Sequence, residues 1–491
     1  MDNDDRKYMV CPQNDIPPIL EHKIYVCYRE RWYVLLTVCL LALSNATIWI
    51  SYAPLHEATT KFYCVKDETE CDVIYWTSQI FQIVGVVTGI FGMYVTDKYG
   101  IRTSTLCGST FNFLGAIVRV VSSLPIIPLA IRLPLLYTGQ TIAAMAQPFF
   151  LCLSPKVAEY WFSDHQRALA NALSFVANPL GVVVGSMIPM LFVSNTNATE
   201  NSDDILLLNF MLLVLASIVI VMSFTITSSK PPTPPSASSE CAHSPPFLEG
   251  LVHLFKTPVF YIQMITFGMA FALQWSVFIT ADKMLGILQY KDKVTSYLMA
   301  LSAISGCVGS VLAGYFVDRT KKFKEVIKTC YIGMAITAVS INVFLRHPKT
   351  NTMDDVTLIL LLIILGFFAI PVFPISLELG VETTFPVAEA TSSGILIIAG
   401  QLLMFIVTFG MQSLESSKWL YQSETDIHSP RRLVDIFVKN YQLSVDFWTV
   451  SAIMAAVFTC TSLWPRYRRL EFENRNNVYV DVSNGNPVVP P

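Results

Sequence analysis

Charged side chains are scarce in this sequence. Asp, Glu, Lys and Arg make up 14% of its 491 residues, whereas an ordinary soluble domain carries about 25%. Hydrophobic residues reach 53%. This balance argues against a soluble enzyme or binding domain and predicts a protein that lies mostly in lipid.

Several functional motifs are also missing. The net charge is -3 and no long basic run could follow a phosphate backbone, so we predict no nucleic-acid partner. The sequence has no P-loop, no H-E-x-x-H, no zinc-ligand spacing and no nucleophile elbow. We therefore predict that the protein is not an enzyme and binds neither a metal nor a cofactor. The first 31 residues lack the apolar core of a signal peptide, so the first membrane helix should insert uncleaved.

Long apolar runs predict the fold class. Twelve of them approach the ~20 residues that cross a bilayer as a helix, at residues 33–53, 73–95, 103–122, 133–153, 169–193, 205–226, 258–281, 296–317, 325–345, 355–377, 388–413 and 446–465. The prediction is an all-α membrane protein with twelve transmembrane helices in two six-helix bundles. Its predicted regions are a cytosolic tail (1–32), the first bundle (33–227), a cytosolic Pro/Ser-rich linker (228–256), the second bundle (257–466) and a second cytosolic tail (467–491).

Lysine and arginine counts predict the orientation. With both termini inside, interior segments hold 20 of the 33 basic residues and exterior segments hold 12, which agrees with the positive-inside rule. This topology places the sequon at Asn197 outside, where it could be glycosylated. It also places Cys64 and Cys71 together in the first exterior loop, where a disulfide is a hypothesis.

One polar segment between apolar runs carries an acid, two glycines and a base. These residues are Gly92, Asp97, Gly100 and Arg102, and the segment resembles the loop signature of the major facilitator superfamily. A weaker copy begins at Gly314 and includes Asp318 and Arg319. Two copies of one inter-helix loop indicate a duplicated six-helix unit. We interpret Asp97 and Arg102, and more weakly Asp318 and Arg319, as a conformational latch. A plain hairpin with surface charges is the alternative.

Polar and aromatic residues inside the predicted helices are candidate ligand contacts, because polar groups in a bilayer need a partner or a cavity. In the first helix, Asn45 and Trp49 are spaced to share a face. Gln274 and Trp275 occupy the symmetry-related seventh helix, and two tryptophans there could enclose an organic cation. Gln140 and Gln147, two turns apart in the fourth helix, and Gln401 in the eleventh could hydrogen-bond a small polar ligand. Packing between helices is the alternative for all of them.

Four separated segments resemble one family. They are residues 44–54, 154–158 with Trp161 and Phe162, 178–181 and 382–386. Together they resemble solute carrier family 49, the branch of the major facilitator superfamily named for the feline leukaemia virus subgroup C receptors. The resemblance implies a central site between the two halves. In the choline-transporting members, a first-helix tryptophan, a seventh-helix tyrosine and a fourth-helix glutamine hold the ligand. These positions correspond to Trp49, Trp275 and Gln147, so a tryptophan replaces the tyrosine.

The function implied is facilitative transport of a small organic solute, with a choline- or ethanolamine-like amine expected. Haem or a pyridoxine-like compound is an alternative solute, and a non-transporting receptor or sensor is an alternative of another class. No coupling pair of carboxylates stands out within the helices, which predicts uniport by rocking of the two bundles. The expected partners are the solute and the lipid bilayer, and the expected state is a monomer.

Localisation rests on one weak signal. Residues 15–20 faintly resemble an acidic dileucine sorting signal. We predict the plasma membrane, with an endolysosomal membrane as the alternative. The exterior segment 414–445 could form a short surface helix, and its role is left open.

Overall fold

The computed structural model describes residues 28–64, 72–162, 167–192, 200–233, 246–286, 292–346, 352–385, 387–414 and 441–471. Sixteen α-helices cover most of this part of the chain. They are α1 (Glu30–Ile50), α2 (His56–Tyr63), α3 (Val73–Ser122), α4 (Leu129–Ala144), α5 (Gln147–Leu151), α6 (Leu153–Trp161), α7 (Arg167–Phe192), α8 (Glu200–Thr225), α9 (Phe247–Lys256), α10 (Pro258–Gly286), α11 (Asp292–Thr320), α12 (Phe323–Leu345), α13 (Thr352–Ala369), α14 (Val372–Thr384), α15 (Glu389–Leu414) and α16 (Gln442–Ser462).

The apolar helices are long enough to cross a membrane. Within the described residues, nine segments meet the length and hydropathy that a crossing requires. One of them, Val73–Ser122, has 50 residues, and because about 20 suffice for one crossing it supplies two. Another crossing is divided among α4, α5 and α6, and α7 contains a shorter apolar stretch, Leu173–Pro189. These helices are consistent with the twelve predicted crossings, while the predicted domain boundaries stay predictions.

Two local breaks shape the first bundle. In α3, Gly100 has φ 83° and ψ -173°, a conformation that glycine adopts without a steric penalty, and the chain reverses there. The predicted polar loop is therefore a break at one residue between two helical arms. The second break separates α4 from α5 at Met145 and Ala146. Pro148 lies at the start of α5, where its missing N–H is tolerated.

Packing follows the two-bundle plan. In the first bundle α1 packs on α7 and α3 packs on α4, while in the second bundle α10 packs on α15 and α11 on α13. The bundles meet where α7 contacts α11 and where α3 contacts α15. Large apolar side chains such as Val87, Ile336 and Met454 remain exposed on the outer faces of the helices. Such faces suit a lipid environment.

Candidate functional site

Two tryptophans meet between the bundles. Trp49 lies in the last turn of α1 and Trp275 lies in α10, and their ring centroids are 5.6 Å apart with an interplanar angle of 81°. Both side chains are buried, with exposures of 8% and 3%. Each bundle therefore contributes one indole to the same contact, and a role for the pair in ligand binding stays a prediction.

Further aromatic rings extend this contact in the second bundle. Phe278, Phe373 and Phe271 surround Trp275 at centroid distances of 5.3, 6.0 and 6.2 Å. The Phe373 ring is stacked on the indole, and the other two are tilted or edge-on. Aromatic rings attract organic cations, so this group of rings is a candidate part of a cation site. None of the three phenylalanines was singled out from the sequence, because they are ordinary core residues until the fold brings them to Trp275.

Two glutamines from opposite bundles also meet. Gln401 Nε2 in α15 donates to Gln147 Oε1 in α5, with the two atoms 2.6 Å apart. The Gln401 side chain lies against Gly85 of α3, where a Cβ atom would come within 2.1 Å of Oε1. The lack of a side chain at Gly85 thus makes room for this amide at the bundle interface.

Several buried polar atoms in this region have no protein partner among the described residues. They are Trp49 Nε1, Trp275 Nε1, Gln401 Oε1, and both amide atoms of Gln274. Leaving a buried donor or acceptor unpaired costs roughly 1–3 kcal/mol. Each of these atoms is therefore a candidate partner for a polar ligand or a water molecule.

Asn45 and Gln140 make their contacts within the first bundle. Asn45 Nδ2 donates to Asn112 Oδ1 at 2.9 Å and to the Ala143 carbonyl at 2.8 Å. Gln140 Nε2 donates to the Thr77 carbonyl at 3.1 Å. Gln140 and Gln147 are separated by the short break at Met145 and Ala146, and a role for these glutamines in ligand binding stays a prediction. A ligand contact for Asn45 stays a prediction.

Arg119 in α3 organises a buried polar network next to Trp49. Its guanidinium donates to the Ile48 carbonyl at 2.7 Å, to Ser51 Oγ at 2.8 Å and to Gln140 Oε1 at 3.2 Å. It also lies 4.3 Å from the centre of the Tyr52 ring. Arg119 is 1% exposed, so its guanidinium does not reach the membrane surface, and the partners named here all belong to the first bundle. Its contacts instead fix the end of α1.

Asp97 joins the bundles at the end that the topology places inside. Lys156 Nζ of α6 lies 3.1 Å from Asp97 Oδ1 and donates to the Thr96 carbonyl at 2.8 Å. Thr391 Oγ1 of α15, in the second bundle, donates to Asp97 Oδ2 at 2.5 Å. The Lys156 ammonium also lies 5.8 Å from the centre of the Tyr160 ring.

Arg102 contacts the start of the linker. Its Nη1 donates to the Thr227 carbonyl at 3.1 Å, and its backbone N–H donates to Ser229 Oγ at 3.0 Å. A Cβ atom on Gly100 would lie 2.8 Å from the same Ser229 Oγ. Asp97 and Arg102 therefore have different partners, and a latch formed by them stays a prediction.

The second copy of the motif differs in detail. The interval from Gly92 to Asp97 is one residue longer than that from Gly314 to Asp318, so Met93 corresponds to Gly314. Met93 packs directly on Gly394 of α15, where a Cβ atom would lie 2.0 Å from its sulfur. Lys321, three residues after Asp318, takes a positive φ of 55° as Gly100 does. Arg319 is exposed and lies over the Tyr315 ring at 5.3 Å.

The opposite end of the molecule, predicted to be outside, is closed by a second polar cluster that sequence reasoning missed. Asp72, just before α3, lies 3.7 Å from Lys283 Nζ of α10 and accepts from Gln412 Nε2 of α15 at 3.1 Å. Lys283 Nζ donates to Gln412 Oε1 at 2.9 Å. Contacts thus join the two bundles at both ends of the Trp49–Trp275 pair, which describes an occluded arrangement.

Two predicted modifications and one predicted surface helix fall partly or wholly outside the described residues. Cys64 is disulfide-bonded, but Cys71 lies in the undescribed range 65–71, so their pairing stays a prediction. Asn197 lies in the undescribed range 193–199, and most of the 414–445 segment is likewise outside the described residues.

Known proteins resemble this chain in sequence and in fold. The sequence model of the Major Facilitator Superfamily matches residues 23–408. Solute carrier family 49 member A3 of Danio rerio is 32% identical over 456 residues, which cover 91% of this chain and 90% of that protein. The choline/ethanolamine transporter FLVCR2 of Homo sapiens is 28% identical over 392 residues, covering 77% and 71%. The structure of the proton:xylose symporter XylE bound to 6-bromo-6-deoxy-D-glucose has a TM-score of 0.69 at 15% identity, covering 89% and 96%.

Proposed function

The chain belongs to solute carrier family 49 of the major facilitator superfamily, and from this premise we propose that it is a facilitative transporter of choline- or ethanolamine-like amines. Its membrane is the plasma membrane in this proposal. The solute would bind near the middle of the bilayer, and rocking of the two bundles would expose it to each side in turn.

The observation that carries the proposal is the Trp49–Trp275 contact between the bundles. An ammonium group over an indole face gains about 2 kcal/mol or more from cation–π attraction once water is excluded. Because the indoles belong to different bundles, rocking changes the distance between them. The motion that opens the molecule therefore also weakens the cation–π contacts that hold the solute.

The polar end of the ligand has partners nearby. The Gln147–Gln401 pair spans the same interface at 2.6 Å, and Gln401 Oε1 is unpaired among the described residues. A hydroxyl such as that of choline can donate to this oxygen. The relative FLVCR2 is described as a choline/ethanolamine transporter, and this similarity supports the same class of solute for this chain.

Uptake by intact cells tests the proposal. Cells that express the wild type should accumulate radiolabelled choline or ethanolamine faster than null cells, at a rate that does not fall when the proton or sodium gradient collapses at fixed membrane potential. Trp49→Ala should raise KM by about 30-fold, which corresponds to the loss of ~2 kcal/mol. The matched control is Trp464→Ala, because Trp464 is 65% exposed and should leave KM unchanged.

The alternatives give different results in the same assay. Uptake of haem or pyridoxine without uptake of either amine would replace the proposed solute. A wild-type protein that reaches the cell surface, as measured by surface biotinylation, and yet moves none of these compounds would favour a receptor or sensor.

A further inference from the structure

An exposed tryptophan contacts two lysines at the end of the molecule that the topology places inside. Trp464 follows the last turn of α16, and its Nε1 donates to the Thr461 carbonyl at 2.9 Å. Lys324 Nζ and Lys328 Nζ of α12 lie 4.6 and 4.2 Å from the centre of the indole ring. These three side chains form the basic cap (Lys324, Lys328 and Trp464), in which one aromatic ring holds two positive charges close together.

The sequence around the basic cap has an excess of positive charge. Residues 318–328 include five basic and two acidic side chains. One acid, Glu325, has its Oε1 3.6 Å from Lys324 Nζ, but water reaches both side chains, and such ion pairs contribute little to stability. Two ammonium groups on one ring repel each other, so an anion placed beside them lowers their electrostatic energy.

Both helices that meet at the basic cap expose apolar side chains deeper in the membrane. In α12, Ile332 and Ile336 follow the lysines by one and two turns and are exposed. In α16, Met454 and Val457 precede the tryptophan by about three and two turns and are exposed as well. The two helices pack against each other, and side chains three or four residues apart share a helix face. Their lipid-facing sides therefore both lead to the basic cap.

We propose that the basic cap and the adjoining exposed sides of α12 and α16 form a binding site for an acidic phospholipid of the inner leaflet. The phosphate of the lipid lies beside Lys324 and Lys328, and its acyl chains lie along the apolar side chains of the two helices. Tryptophan is favoured at the level of lipid headgroups, and clustered basic residues just inside a membrane helix attract anionic lipids. The site is separate from the Trp49–Trp275 contact and goes beyond the proposed transport.

Lipid binding by the full-length protein in detergent tests the proposal. Native mass spectrometry gives the Kd of phosphatidylserine and of phosphatidylcholine with the same acyl chains. The wild type should bind phosphatidylserine more tightly, because it carries a net negative charge and phosphatidylcholine does not. Lys324→Gln combined with Lys328→Gln should weaken phosphatidylserine binding about 25-fold, since each basic residue near the surface contributes about fivefold.

Two comparison variants separate a defined site from a general attraction of charge. Lys321→Gln combined with Lys322→Gln removes the same charge from the same loop but leaves the basic cap intact, so it should weaken binding less than fivefold. Trp464→Leu keeps every charge but loses the indole, and it should weaken binding about two- to fivefold. Equal losses in the two lysine pairs, or an unchanged Kd in Trp464→Leu, would overturn the inference. Size-exclusion chromatography confirms that each variant is folded.

A soluble headgroup distinguishes a lipid from a free phosphate compound. Glycerophosphoserine has the headgroup of phosphatidylserine without the acyl chains, so it cannot contact the apolar sides of α12 and α16. It should fail to displace phosphatidylserine, and displacement would reject the lipid as the ligand. These measurements involve no transport, so a failure of lipid binding leaves the proposed transport standing, and a failure of choline uptake leaves the lipid site standing.

Discussion

Thr391→Val removes one hydroxyl and should make the inner end of the molecule open more often. Thr391 Oγ1 donates to Asp97 Oδ2 across the bundle interface at 2.5 Å. Lys156, the other partner of Asp97 at 3.1 Å, lies in the same bundle as Asp97, so that ion pair can persist when the bundles separate. Valine keeps the shape of threonine, and the substitution therefore weakens the closed state selectively.

The size of the effect follows from the charge on Asp97. A hydrogen bond to a charged group contributes about 1.5–3 kcal/mol, so the open fraction should rise roughly ten- to hundredfold. Cys152 reports this opening. It is 2% exposed, and a methyl group on Gly394 of the second bundle would lie 3.1 Å from its sulfur. The rate at which N-ethylmaleimide alkylates Cys152, followed by peptide mass spectrometry, should rise by the same factor.

Two controls show whether a faster alkylation of Cys152 is specific to the loss of the Thr391 hydroxyl. Ser393→Ala removes a hydroxyl two residues away that donates to the Glu389 carbonyl of its own helix at 2.7 Å, so it should leave the Cys152 rate unchanged. Cys330 is buried in the second bundle and serves as the reference for general loosening. An unchanged Cys152 rate in Thr391→Val, or an equal rise at Cys330, would refute the assignment of Thr391 to inner closure.

Two further substitutions test the packing around the central pair. Gly85→Ala places a methyl group 2.1 Å from Gln401 Oε1. The substitution should break the hydrogen bond between Gln147 and Gln401 and raise the KM of uptake about two- to tenfold. An unchanged KM would mean that this hydrogen bond has no part in solute binding. Arg119→Lys keeps the positive charge but removes the guanidinium that donates to Ile48, Ser51 and Gln140. The midpoint of thermal unfolding in detergent should therefore fall by about 5–10 °C. An unchanged midpoint would contradict a stabilising role for Arg119.

The helices and the motif at Gly100 could be predicted because each depends on local sequence. Apolar length fixes a membrane crossing, and a glycine between polar residues marks a reversal. The partners of Asp97 were not predictable in this way, because Lys156 and Thr391 lie 59 and 294 residues away in the chain.

The Trp49–Trp275 contact affects how the protein, after releasing its solute, returns to the state that faces the other side of the membrane. A uniporter must pass through an occluded state without solute, whereas an obligate exchanger must avoid it. In the occluded arrangement described here, Trp49 and Trp275 contact each other at 5.6 Å, and an aromatic pair contributes about 0.5–1.5 kcal/mol. A cation between the rings would replace that contact with one of roughly 2 kcal/mol. The difference of about 0.5–1.5 kcal/mol favours closing around solute only about two- to twelvefold, so the bundles can also close without solute, as the proposed facilitative transport requires.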